Sequence, residues 1–323
     1  MMKSGGIIRT IATACLEQGR SRSQNSDNLA AFGRWVPAAR RASLVRSAAL
    51  DSPLQLFAVA DGQDGTGQGA RAAESALALL GTFSERLPEH AQDAAAWGRA
   101  YLIQANRTVG QLLDPNHDLT AGTTLTALLL HGGMAYTLSI GNSRAYLFRD
   151  GILTRLTRDD VAWLDETRYL TRWLGMQDET RLADAEGPVQ TELKQGDVFI
   201  LTTDGVTDLI GDEALAACLA APDAFVQRIG RIRELAIGKG APDDFALVGI
   251  RVRDPDGKQS AGKSVRRKHE PGSGEANMLE QSLAEHRWIR PLCVFLFFVL
   301  LGLLLGKLLT SLPGWFWTLL PGG

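Results

Sequence analysis

Four places in this sequence set a carboxylate at the end of an apolar run, beside a glycine or a turn. Asp61 follows the run 54–60 and opens Asp61-Gly62; Asp204 follows 199–203 and precedes Gly205. Asp243 and Asp244 follow Gly240-Ala241-Pro242 and open the run 245–252, and Asp27 comes just after Asn25-Ser26. A strand ending in a carboxylate presents it at a sheet edge, and an adjacent Gly lets a backbone carbonyl approach a ligand closely. Several such carboxylates brought together would form an oxygen-rich site for a hard divalent cation such as magnesium or manganese. Any one Asp-Gly is foremost a turn dipeptide; the repetition is what points to chemistry. Zinc is not expected, because the five histidines are scattered and no HExxH or Cys/His cluster occurs. Cys15, Cys218 and Cys293 form no CxxC and read as buried, reduced thiols.

The elements that must carry these carboxylates can be traced along residues 1–253. Ile7 to Ile11 is too short for the core of a leader peptide and reads as a first strand. The stretch 54–60 reads as a strand, and 70–87 and 93–113 as Ala- and Leu-rich helices. Strand signals follow at 123–130, 135–140, 145–148 and 152–156, with Asp150-Gly151 marking a hairpin turn. Two short helices are expected at 159–165 and 167–174, strands at 189–193, 198–203 and 245–252, and helices at 212–220 and 223–237. Residues 34–52 read as a long loop without an assigned role. Meandering strands with one early and one late helix pair argue for an α+β fold rather than a βαβ nucleotide fold.

Beyond the globular part the composition changes. Residues 254–286 are dominated by Pro, Gly, Ser, Lys and Arg and read as a flexible basic linker. Residues 287–311 include the uncharged run 292–306 and approach the ~20 apolar residues that cross a bilayer core, so they read as a transmembrane helix. The tail 312–323 holds Trp315, Phe316 and Trp317, suited to an interface. Lys263, Arg266, Arg267, Lys268, Arg287 and Arg290 all precede the helix, which orients the N-terminal domain to the cytoplasm in a single-pass membrane protein. With 34 basic and 36 acidic residues, the chain has no basic footprint for nucleic acid.

In order along the soluble part stand Arg22-Ser23-Gln24-Asn25-Ser26-Asp27, Phe57-Ala58-Val59-Ala60-Asp61-Gly62, Ala121-Gly122-Thr123-Thr124, Gly141-Asn142-Ser143-Arg144, Leu156-Thr157-Arg158-Asp159, Leu170-Thr171-Arg172-Trp173-Leu174-Gly175, Gly196-Asp197 through Asp204-Gly205 to Asp208, and Asp243-Asp244-Phe245. Together these blocks resemble the metal-dependent Ser/Thr protein phosphatases, the PPM or protein phosphatase 2C-like family, in the bacterial form with a C-terminal membrane anchor. The resemblance covers residues 19–252. It implies a four-layer αββα sandwich, two central antiparallel β-sheets flanked by helix pairs, with a two-metal cleft at one end.

By the same resemblance, Asp61 would bridge two divalent cations, manganese or magnesium, and Gly62 would offer its carbonyl to one. Asp204 and Asp243 would hold the other, Asp27 would anchor a water on the metal, and Arg22 would grip the substrate phosphate. The implied activity is hydrolysis of phosphoserine and phosphothreonine in phosphorylated proteins, opposed by a Ser/Thr kinase and tethered to the membrane. Two positions depart from the family pattern. Ser26 replaces a Glu, and Asn142 replaces an Asp that, with the residues matching Asp204 and Asp208, would help hold a third metal. Asp64, close by in sequence, is a candidate to compensate for Ser26. These departures motivate the alternative of a catalytically impaired module that binds a partner phosphoprotein at the membrane.

Overall fold

The computed structural model describes residues 6–37, 42–63, 68–113, 121–182 and 188–255. Asp64, the linker beyond residue 255, the expected transmembrane helix 287–311 and the tail 312–323 lie outside the described residues. Among the described residues, no helix is long and apolar enough to cross a membrane.

The early strands are β1 (Ile8–Glu17), β2 (Asn28–Ala31), β3 (Arg34–Trp35), β4 (Ser43–Ser52), β5 (Leu54–Ala60) and β6 (Gly62–Gln63). Helices α1 (Gln68–Ser84), α2 (Leu87–His90) and α3 (Ala94–Gly110) follow. Next come β7 (Gly122–Thr123), β8 (Leu125–His131), β9 (Met134–Ile140), β10 (Arg144–Arg149), β11 (Ile152–Arg155), β12 (Val161–Leu164), β13 (Thr167–Leu170), β14 (Val189–Glu192) and β15 (Val198–Thr202). The described chain closes with α4 (Asp204–Thr207), α5 (Asp212–Ala220), α6 (Phe225–Gly238) and β16 (Phe245–Asp254). Two six-stranded sheets result, in the orders β11-β10-β15-β16-β1-β4 and β14-β9-β8-β5-β2-β3, with neighbouring strands antiparallel throughout.

The central strands read as continuous apolar runs because both of their faces are buried. In β8, Leu125, Ala127 and Leu129 pack under α1 and α3, while Leu128 and Leu130 face the other sheet. In β15, Phe199 and Leu201 enter the space between the sheets, and Val198 and Ile200 pack against α5 and α6. The period of two along each strand thus deals side chains alternately into two cores, and three cores separate four layers. The helices match this with apolar residues three and four apart, such as Ala72, Ala73, Ala76, Leu77 and Leu80 in α1. Buried Tyr101 of α3 satisfies its hydroxyl by donating to the Ala76 carbonyl at 3.0 Å, tying the helix pair together. Asp93 caps α3 by accepting from the Ala96 N–H at 3.0 Å.

Two expectations are corrected. The described residues of 34–52 are chiefly strand rather than loop: β3 opens the stretch, and β4 spans ten residues and pairs with β1 from Ile8↔Ser52 to Glu17↔Ser43. Its small and polar residues conceal an edge strand that has only one covered face. Residues 159–165 and 167–174 are not helices; within them Val161–Leu164 and Thr167–Leu170 form the hairpin β12–β13. Asp165 and Glu166 take φ of 46° and 64°, the left-handed pair that a two-residue hairpin turn requires, and this overrides the helical tendency of the flanking Leu and Glu.

Candidate active site

The carboxylates singled out in the sequence gather at one rim of the sandwich, where β5, β15 and β16 begin or end. Asp61 follows β5, and its backbone is fixed from three directions. Its N–H donates to Thr124 Oγ1 at 3.0 Å, and its carbonyl accepts from Thr124 N at 2.9 Å and Thr123 Oγ1 at 2.9 Å. Gly62 then pairs with Thr123 in the short β6–β7 ribbon. A Cβ at Gly62 would stand 2.3 Å from the Gly69 carbonyl oxygen and 2.6 Å from that of Ser26, so only glycine fits. Asp204 follows β15. Its Oδ2 accepts from Asn142 Nδ2 at 2.7 Å and from Arg168 Nη2 at 3.1 Å. Arg168 also grips Asp208, at 2.8 Å and 2.6 Å.

Asp243 precedes β16 and is held bidentately by Arg22, with Nε and Nη2 donating at 2.6 and 2.7 Å. Its neighbour Asp244 is buried and does a different job. Oδ1 accepts from the Gly19 N–H at 2.8 Å and Oδ2 from the Ser26 N–H at 2.7 Å. Asp244 therefore clamps both ends of the segment that carries Arg22 and delivers Asp27. Asp27 is buried beside Asp61.

The electrostatics of the rim follow from burial. Removal from water pushes the Asp61 carboxyl well above the usual carboxylate range, and the charges of Asp204 and Asp243 push it further. Burial raises Asp27 in the same way, reinforced by Asp61, while the Thr203 hydroxyl opposes the shift. Asp204 is raised by burial and by Asp208, with Asn142 acting against them. The Arg22 guanidinium is held more firmly protonated, chiefly by its hydrogen bonds to Asp243.

Donor chemistry and charge fit divalent cations. All the rim side chains offer hard oxygen, and six carboxyl groups (Asp27, Asp61, Asp204, Asp208, Asp243, Asp244) face two guanidinium groups. Asp27 Oδ2 and Asn142 Oδ1 are buried with no hydrogen-bond partner, which is costly unless something else engages them. Among the described residues, no three His, Cys, Asp or Glu side chains form a ready cage for one ion. The arginines explain this: Arg22 holds Asp243, and Arg168 holds Asp204 with Asp208.

The model of the Stage II sporulation protein E (SpoIIE) family matches residues 57–253. The chain belongs to the SpoIIE family. The two antiparallel sheets with their helices are the fold of the PPM-type phosphatases that the sequence blocks resemble. The serine/threonine protein phosphatase PstP of Mycobacterium tuberculosis is 32% identical over 214 residues, covering 62% of this chain and 41% of PstP. The chain thus spans about two fifths of the length of that relative. The serine/threonine phosphatase stp of Listeria monocytogenes is 23% identical over 209 residues, covering 59% of this chain and 81% of stp. A crystal structure of the M. tuberculosis PstP phosphatase superposes with a TM-score of 0.59 at 26% identity, over 76% of this chain and all of that one. The PstP catalytic domain in complex with two manganese ions gives 0.55 at 27% identity, with the same coverage.

Of the residues expected at the site, Arg22, Asp27, Asp61, Gly62, Asn142, Asp204, Asp208 and Asp243 are all at this rim, and Asp64 lies outside the described residues. Two contributors carry no sequence signal of their own. Asp244 was visible only as the second of two aspartates, and its part depends on backbone donors 218 to 225 residues away in sequence. Arg168 reaches the rim from a hairpin that the residue pattern presents as helix.

Proposed function

We propose that this chain is a metal-dependent protein serine/threonine phosphatase. The observation that carries the proposal is the pairing of buried Asp27 with half-buried Asp61, facing the charges of Asp204 and Asp243 at one sheet rim. Two divalent cations, manganese or magnesium, are the proposed cofactors, with Asp61, the Gly62 carbonyl, Asp204 and Asp243 as their ligands. When bound they would supply Lewis acidity and acidify a water for in-line attack on phosphorus. The PstP catalytic domain, which shares this fold, has been crystallised with two manganese ions.

The chain's own residues then have separable tasks. Asp27, fixed beside Asp61, accepts a hydrogen bond from the attacking water and orients it. Arg22 offers a planar fork that already holds a carboxylate bidentately and can hold two phosphate oxygens in the same way. It must leave Asp243 to do so, and half of its side chain is exposed, so the movement is open to it. The Thr123 and Thr124 hydroxyls and the Asp244 clamp keep the carboxylates in place without taking part. No residue need bond covalently to phosphorus, so the buried Cys15, whose thiol is pushed up to about 12 by its burial, has no part in the reaction.

The proposed substrates are phosphoserine and phosphothreonine proteins, with a Ser/Thr kinase as the opposing activity. Residues 287–311 are proposed to anchor the domain to the membrane from its cytoplasmic side. The alternative of a silent binding module rests on Ser26 and Asn142 alone. Asn142 Nδ2 still binds Asp204, which preserves the geometry while lowering the charge. The test is phosphate release from a phosphothreonine peptide by the purified chain with manganese or magnesium. Release that depends on metal and is lost in Asp204→Ala supports the enzyme; no release with either metal refutes it. Partition of the full chain into membranes, lost on removing residues 287–311, tests the anchor.

A further inference from the structure

A second polar site lies on the flank of the sandwich. A cavity of about 580 Å³ opens between β9, beside the β14 edge of one sheet, and the segment that follows β11, the edge strand of the other. Among the described residues, none of the rim carboxylates lines it, nor do Arg22 and Arg168. Thr137 and Ser139 line it from the β9 face that also carries Ala135 into the space between the sheets. Thr137 is 2% exposed, and its hydroxyl is buried with no hydrogen-bond partner. Such a hydroxyl is costly to the fold unless another polar group engages it. Thr157 also lines the cavity. Its hydroxyl oxygen accepts from the Ala145 N–H at 3.1 Å, which leaves its own proton to donate.

The charge of the wall is unbalanced. Its two aspartates are already matched: Asp159 by Arg144 and Arg155, and buried Asp160 by Arg172 and the Gly141 N–H. Two further arginines remain. Arg158 is exposed and makes no ion pair among the described residues. Arg181 meets Asp178 at 3.3 Å, with both side chains more than half exposed, a contact that water screens. We propose that this cavity binds a phosphate-type oxyanion, either free inorganic phosphate or the phosphate group of a small metabolite. Arg158 and Arg181 are its cations, and the Thr137 and Thr157 hydroxyls are its neutral donors. Guanidinium forks match the spacing of phosphate oxygens, and the surplus positive charge rejects a metal ion. The volume exceeds that of a phosphate and leaves room for an organic part against Val161 and Val189. The site is separate from the rim and does not depend on the reading proposed for it.

The test uses the full chain free of divalent ions, so that the rim holds no metal to attract phosphate. Binding of inorganic phosphate, adenosine monophosphate and adenosine is followed by calorimetry. The wild type should bind the two phosphates and not adenosine. Tighter binding of the monophosphate than of the free ion identifies a metabolite site; equal or weaker binding identifies the free ion. Arg158→Gln and Arg181→Gln should each weaken binding about tenfold, and Arg22→Gln should leave it unchanged. Thr137→Val should also weaken binding, while the ligand-free Tm holds or rises because an orphaned hydroxyl has gone. Should Thr137→Val fail to fold, the two arginine variants, altered at exposed positions, decide the question. Wild-type affinity in both arginine variants with loss in Arg22→Gln would assign the anion to the rim and overturn the proposal. So would failure of the wild type to bind either phosphate, which would leave the cavity to water.

Discussion

Buried carboxylates occur in two regions of this domain under opposite conditions. On the flank, each has its own arginine. Asp197, with its side chain 1% exposed, is held by Arg149 at 2.7 Å through both oxygens and also receives the Lys194 N–H at 2.7 Å. Asp159 lies between Arg144 and Arg155, and Asp160 takes Arg172. At the rim, buried Asp27 and half-buried Asp61 lie close to each other and to Asp204 and Asp243, with more carboxylates than arginines. One arrangement closes its charge within the fold, and the other leaves it open to a cation from outside. The same residue type thus serves architecture where it is matched and chemistry where it is not.

The sharpest way to break this comparison is to unmatch a flank pair. Arg149→Ala strands a buried carboxylate and should destabilise the domain by about 3–5 kcal/mol in urea melts, without altering the metal affinity of the molecules that remain folded. Asp61→Asn should do the reverse: phosphate release falls by about a hundredfold or more, while the metal-free Tm holds or rises because a repelled charge has gone. A Tm loss like that of Arg149→Ala would erase the distinction between the regions.

The pH dependence gives a smaller effect with a definite sign. Asp27 and Asp61 titrate above 3.8 in the fold, so they bind protons more tightly there than in the unfolded chain. Their contribution favours the fold fully below about 3.8 and is lost as the pH rises through the raised values. Melts of the metal-free protein should therefore show this contribution fading from acid toward neutral pH, and manganese, which binds the deprotonated forms, should cancel the loss. Smallest is Asn142→Asp. It replaces the donor on Asp204 with a like charge and should cost the metal-free fold about 1 kcal/mol, while tightening manganese binding by calorimetry.

Much of this was legible in the residues. Asp61, Asp204 and Asp243 could be found because each stands where an apolar run stops or starts, and such runs mark strands buried on both faces. The strand and helix pattern disclosed only an α+β fold; the four layers came from the family resemblance. The failures share a cause. Ser43–Ser52 is rich in Ser and Ala and lies at a sheet edge, so it carries no apolar signature although it is one of the longest strands. The hairpin β12–β13 depends on two left-handed residues, Asp165 and Glu166, neither of them the usual glycine. Asp244 and Arg168 act through partners distant in sequence, and residue type at one position does not disclose them.

The placement of β16 has a consequence for when the protein can work. This last strand lies inside its sheet between β15 and the first strand, and the aspartates at its start both contribute to and brace the rim. A growing polypeptide on the ribosome therefore has no complete rim until residues beyond 240 have emerged and slotted between two strands made earlier. Until that insertion, Arg22 and Asp27 sit on an unbraced segment, and the rim lacks Asp243 and Asp244.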